Sequence, residues 1–275
     1  MALPGWVENS NEALEIGVKH VAILWPWDVL SWLWETRRFA KFGADGDLRS
    51  SCRQYWEHCA GLPFYHDLGL TQEDHEEMLP LVFHGDGVRI YKQQKAFVYS
   101  WASALKKGTS LQTKAVLLLV REYHLVKNKT HDEVGRIIGY ITKTLQSGRF
   151  PLKDLSGAAF APGSKQAMLA GTPFCGGFRA CFAGWKGDWE ARVQVHKLQR
   201  HYGCLQVCEK CPAMKSPDVL SYADFRPSAA HRLLTFSQDD YLHMTPAASR
   251  SSWTQVRGWS IHRNLEAFWW TINFS

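Results

Sequence analysis

No stretch of this 275-residue chain is apolar for long enough to cross a bilayer. The most apolar run, Val21 to Trp34, is broken by Pro26 and Asp28 and reads as the buried face of a helical region. No signal peptide is expected, because Met1-Ala2-Leu3-Pro4 leads into a polar, acidic stretch. The expected setting is the nucleus or cytoplasm, with neither secretion nor membrane attachment. Internal repeats and low-complexity tracts are also missing, which argues against a solenoid or a linker-dominated chain. The cysteine count is seven, an odd number, so the thiols are expected free or metal-bound rather than bridged. Strong charge asymmetry is lacking too. A net charge of +6 permits a nucleic-acid partner without demanding one.

What is present suffices for a packed core. Hydrophobic residues make up 45 % of the chain and tryptophan occurs thirteen times, enough for one or two domains. Residues 1–78 read as a helical N-terminal region. Pro26-Trp27-Asp28 can start a helix with Val29, Leu30, Leu33 and Trp34 on one face. Trp25, Trp27, Trp32 and Trp34 read as core rather than as a ligand cage. Residues 79–203 change character. Leu81–His84 is a strand candidate, with Val88–Tyr91 as its continuation or its partner. Ala96–Trp101 and Ala115–Val120 follow, the second apolar throughout, as in a strand covered on both faces. Thr130 with Glu133 predicts a capping box, and Val134, Ile137, Ile138, Ile141 and Leu145 repeat at helical spacing up to Gly148. Phe178–Ala183 is a fourth strand, and Asp188 opens another helix carrying Ala191, Val195, Leu198 and Tyr202 on one face. Cys175 and Cys181, beside and within that strand, are expected to be buried thiols.

Two groups of residues carry possible chemistry. Cys208-x-x-Cys211 is a chelating spacing, and His201 with Cys204 could complete a four-ligand zinc shell. A redox pair and plain free thiols are the other readings of the same cluster. The second group is a pair of acids. Asp86 follows the first strand and Asp188 the fourth. Gly85-Asp86-Gly87 also suits a hairpin turn, and Asp188 also suits a helix N-cap. His84 could orient Asp86 or face the core. Lys106, Lys107, Arg121, Lys127 and Lys129, with Tyr123 and His124 among them, could track phosphates but read better as solvated surface.

Three blocks together resemble eukaryotic cut-and-paste DNA transposases of the CACTA and Kyakuja–Dileera–Zisupton kind. They are Leu79-Pro80-Leu81-Val82-Phe83-His84-Gly85-Asp86-Gly87, then Lys186-Gly187-Asp188-Trp189-Glu190, then Cys204 to Cys211. The resemblance covers about Pro80 to Pro212. It implies an α/β fold with a ribonuclease-H-like mixed sheet, preceded by the helical region and followed by a zinc-binding insertion within residues 204–275. It also implies that Asp86 and Asp188 hold Mg²⁺ or Mn²⁺ for cleavage and strand transfer of DNA phosphodiesters. Such enzymes need a third acid on a later helix. Glu266 is a candidate, Asp239-Asp240 another, and a chain truncated before that helix is the alternative. The rivals to an active enzyme are a non-enzymatic zinc- and nucleic-acid-binding module and a non-functional fragment of a mobile element.

Overall fold

The computed structural model describes residues 2–8, 14–92, 94–126, 129–197, 201–208, 211–234, 236 and 240. Glu266 and Asp239 lie outside them, as do Lys127 and Leu198. The described part is α/β, built around a mixed four-stranded sheet. The chain begins with an antiparallel hairpin, β1 (Ala2–Glu8) and β2 (Leu14–His20), where the sequence reading expects helix. Four helices follow: α1 (Pro26–Glu35), α2 (Phe39–Gly43), α3 (Leu48–Cys59) and α4 (Pro63–Leu68). Pro26 suits the first turn of α1, where its missing N–H costs nothing. Asp47 caps α3, its side chain accepting from Ser50 N at 2.7 Å.

The sheet is made of β3 (Met78–Tyr91), β4 (Gln94–Ser103), β5 (Lys114–Arg121) and β6 (Arg179–Lys186). Their spatial order is β5-β4-β3-β6. The first three are antiparallel neighbours, and β6 runs parallel to β3. Between β4 and β5 lies the short α5 (Ser110–Thr113). The crossover from β5 to β6 carries α6 (Thr130–Ser147) and α7 (Lys165–Leu169). After β6 come α8 (Trp189–His196) and α9 (Ala230–Leu233).

α6 presents Val134, Ile137, Ile138, Ile141 and Leu145 to the sheet, and all five are buried. Gly148 ends it in the left-handed region at φ 68°. The predicted capping box does not form. Thr130 lies inside the first turn, and its hydroxyl donates to Pro4 O at 2.7 Å and accepts from Val126 N at 2.9 Å. That side chain fastens the β1–β2 hairpin to the helix instead of capping it. The apolar residues of α1, α2 and α3 join those of the sheet and α6 in one continuous cluster.

Candidate acid pair at the edge of the sheet

β3 does not turn at Gly85-Asp86-Gly87. It passes straight through, with Asp86 opposite Val98 of β4, and reverses only at Lys92, whose φ is 48°. The hairpin-turn reading of Asp86 is therefore excluded. On its other side β3 pairs with β6, His84 opposite Lys186. Asp86 lies two residues beyond His84, and Asp188 two beyond Lys186. Because the strands are parallel, the same step along each carries both acids past the C-terminal end of β6, while β3 and β4 run on beyond that level.

Two glycines permit the approach. A Cβ on Gly85 would stand 2.5 Å from Trp185 Cζ2 and 2.9 Å from Phe97 Cε1. A Cβ on Gly187 would stand 2.9 Å from the Gly85 carbonyl oxygen. A side chain at Gly187 would push the end of β6 away from β3, and one at Gly85 would displace the Trp185 and Phe97 rings packed over it. Trp185 and Phe97 lie on the α6 side of the sheet, so alternation puts His84 and Asp86 on the other side. There Val82, Ala102 and Ala183 form a small buried cluster with Tyr55 of α3 packed on it. Above that level the cover ends. His84 and Asp86 are half-buried and Asp188 is exposed.

Asp188 is also the N-cap of α8, accepting from Ala191 N at 2.7 Å, as its sequence position suggests. The helix ends at His196, with Lys197 left-handed, so Tyr202 lies beyond it on the surface rather than on the predicted face.

The charges around the acids are balanced. Burial holds the His84 imidazole below its usual range, and Lys114 and Lys186 reinforce that, while Asp86 and Asp188 oppose it. Burial likewise lowers Lys114, against the pull of Asp86. Lys186 is lowered by burial and by Lys114. His84 is accordingly neutral at pH 7, between two carboxylates and two ammonium groups. The sequence reading missed Lys114 and Lys186 as members of this site. The available signal was a lysine at the end of each apolar strand run.

The cysteine cluster is arranged differently. His201 Nε2 lies 3.2 Å from Cys204 Sγ, and Gly203 N donates to His201 Nδ1 at 3.1 Å. That tautomer leaves the Nε2 hydrogen facing the sulfur. Among the described residues, no three of His, Cys, Asp or Glu converge on a position that could hold a metal ion. Asp240 is exposed. The other four cysteines, Cys52, Cys59, Cys175 and Cys181, are buried thiols. Burial pushes the first three up to about 12 and holds Cys181 well above the usual thiol range, which makes them inert. Of the surface bases, Lys106 is paired with Asp45, and Arg121 donates to Tyr123 Oη at 2.9 Å. No helix among the described residues is long and apolar enough to cross a membrane. No protein-family model, no curated protein and no solved structure matches this chain.

Proposed function

We propose that this chain is a transposase-derived protein with a ribonuclease-H-like core, and that it binds DNA without cutting it. The observation that carries the reading is the parallel register of β3 and β6, which sets Asp86 and Asp188 the same two residues beyond the paired His84 and Lys186. The strand order β5-β4-β3-β6 supports it, since in a ribonuclease-H-like sheet the first core strand is central and lies beside the fourth. Two carboxylates on neighbouring strands suit a hard, oxygen-seeking ion such as Mg²⁺ or Mn²⁺.

Two features argue that the chemistry is lost. A two-metal site needs enough carboxylates to fix both ions, and Asp86 and Asp188 have no third acid beside them among the described residues. Lys114 and Lys186 lie near the same His84 as the two acids and offset their charge, so once one divalent ion is held a second would meet a net positive site. The same two lysines suit a phosphate backbone. Zinc at His201, Cys204, Cys208 and Cys211 belongs to the proposal as a structural ion and rests on the spacing of those residues.

The test is to incubate the purified chain with labelled duplex DNA, with Mg²⁺ or Mn²⁺, beside Asp86→Ala and Asp188→Ala. Binding that weakens steeply with salt and no strand cleavage is the expected outcome. Cleavage by the parent that both variants lose would reveal a third acid, such as Glu266, and restore the enzyme. Absence of DNA binding at low salt would refute the reading altogether.

A further inference from the structure

A cavity of about 310 Å³ opens between the start of α1, the outer face of α6 and the loop that follows α6. No residue of β3 or β6 lines it, so it is separate from the acid pair. Its walls are aromatic. Trp25 and Trp27 stack on each other, 4.8 Å apart and 10° from parallel. Tyr140 of α6 stands edge-on to both, at 74° and 82°. The cavity therefore has two aromatic walls near a right angle, and Phe150 and Phe160 extend them.

These walls are held in place. Leu24 N donates to Leu117 O at 2.9 Å, which ties the segment before α1 to β5. The Tyr140 hydroxyl donates to Lys153 O at 2.7 Å, and burial pushes it up to about 12. Trp27 is buried at the base, whereas Trp25 and Tyr140 are half-exposed. The sequence reading placed all four tryptophans of this region in the core. Only Trp27 is fully there, and Trp32 and Trp34 are exposed.

Two carboxylates and one ammonium also line the cavity: Asp28, Asp154 and Lys165. Asp154 is committed to its own loop, accepting from Ser156 N and Ala158 N, each at 2.9 Å. Asp28 is not engaged in that way. Burial raises its carboxyl while the charge of Lys165 lowers it.

The geometry points to a binding site for an alkylated ammonium group, whether a free quaternary ammonium ion or the methylated side chain of a lysine in a peptide. Aromatic faces carry negative charge, so two walls at right angles attract a cation from two sides. Methyl groups let that cation shed its water cheaply and fill an apolar space, which a bare ammonium cannot do. Asp28 supplies the counter-charge. Lys165 also lines the cavity and its charge acts on Asp28, so it opposes a cationic ligand. An anion would meet two carboxylates and the negative ring faces, with one lysine in its favour.

The experiment is calorimetric titration of the full chain with tetramethylammonium at constant ionic strength, with potassium as the control ion. Saturable binding of tetramethylammonium alone is expected. Asp28→Asn should weaken it on the order of ten-fold, and Lys165→Ala should strengthen it severalfold. Titration with a trimethyl-lysine peptide and with choline then separates the sources. Tighter binding of the peptide than of either free ion assigns a protein ligand, and equal or tighter binding of choline assigns a small molecule. Both outcomes support the site. No saturable heat at tens of millimolar would overturn it, as would unchanged binding in Asp28→Asn. Weaker binding of tetramethylammonium in Lys165→Ala would also overturn it, because removing a competing positive charge can only favour a cation. Lys165 is exposed, so its variant keeps the fold and leaves the answer readable.

Discussion

At the scale of single residues, neighbouring positions of one strand have opposite requirements. Gly85 and Gly87 flank Asp86, yet a methyl on Gly85 would enter the Trp185 ring, and one on Gly87 would meet nothing within 4 Å. Gly85→Ala should therefore destabilise the fold by about 1–3 kcal/mol, with Gly87→Ala close to neutral. Urea melts of the two variants would decide it, and equal midpoints would contradict the strand contact. A second residue pair sets a pH dependence. Tyr99 Oη and His131 Nδ1 meet at 2.5 Å under α6, and burial holds the His131 imidazole down to about 4. The unfolded chain takes up that proton near its usual value of about 6.5, before the native state does. Stability should thus be fully present above that value and fall as the pH drops towards 4, by on the order of 3 kcal/mol at the limit. Replacing both residues, as Tyr99→Phe with His131→Leu, should flatten the acid side of the profile. An unchanged slope in the double variant would assign the loss to other groups, His84 among them, which burial lowers in the same direction.

At the scale of elements, one residue serves a helix and a strand end at once. Asp188 caps α8 through Ala191 N and also lies two residues beyond Lys186, as Asp86 lies two beyond its partner His84. The two roles separate by substitution, since asparagine caps a helix as well as aspartate does but brings no charge. Asp188→Asn should keep the parent's melting temperature, whereas Asp188→Ala should lose about 1 kcal/mol. Both should lose Mn²⁺ binding, which calorimetry or the Mn²⁺ resonance signal can follow. Parent-like Mn²⁺ affinity in Asp188→Asn would leave the carboxylate as a cap and nothing more. The opposite exchange of roles is seen at Thr130. A cap is expected there from its sequence, but its hydroxyl bonds Pro4 O across 126 positions of sequence.

At the scale of the whole molecule, the helices before β3 and the sheet behind it share one core. Leu30 of α1 is 1 % exposed and belongs to the same buried cluster as Phe83, Trp101 and Ile137. Leu30→Ala should cost about 2–5 kcal/mol through the cavity it leaves. Far-ultraviolet circular dichroism and tryptophan fluorescence should then report one transition, shifted together, because a shared core melts as a unit. Two separated transitions would mean that the N-terminal helices fold apart from the sheet. The net charge of +6 acts at this scale too. It is small, and Lys106 is already paired with Asp45, so affinity for DNA should be modest and easily screened.

The sequence by itself determined the local part of this picture. Apolar runs at Leu81–His84 and Ala115–Val120, the helical repeat from Val134 to Leu145 and the stop at Gly148 are patterns of adjacent residues, and each element stands where those patterns place it. The buried state of Cys175 and Cys181 follows from the same apolar surroundings. The tertiary structure decided what depends on residues far apart. Gly85-Asp86-Gly87 has the local chemistry of a turn, but pairing on both sides, with β4 and β6, holds it extended. The hairpin at Ala2–His20 has little strand signal of its own and is fastened to α6 through Thr130. The lysines beside the acids come from two different strands, and the aromatic cavity joins Trp25 to Tyr140 across more than a hundred residues. Local pattern reports the free energy of a segment in isolation. Register, shared burial and the charge around a site arise only when segments meet, so they could be read only from the folded chain.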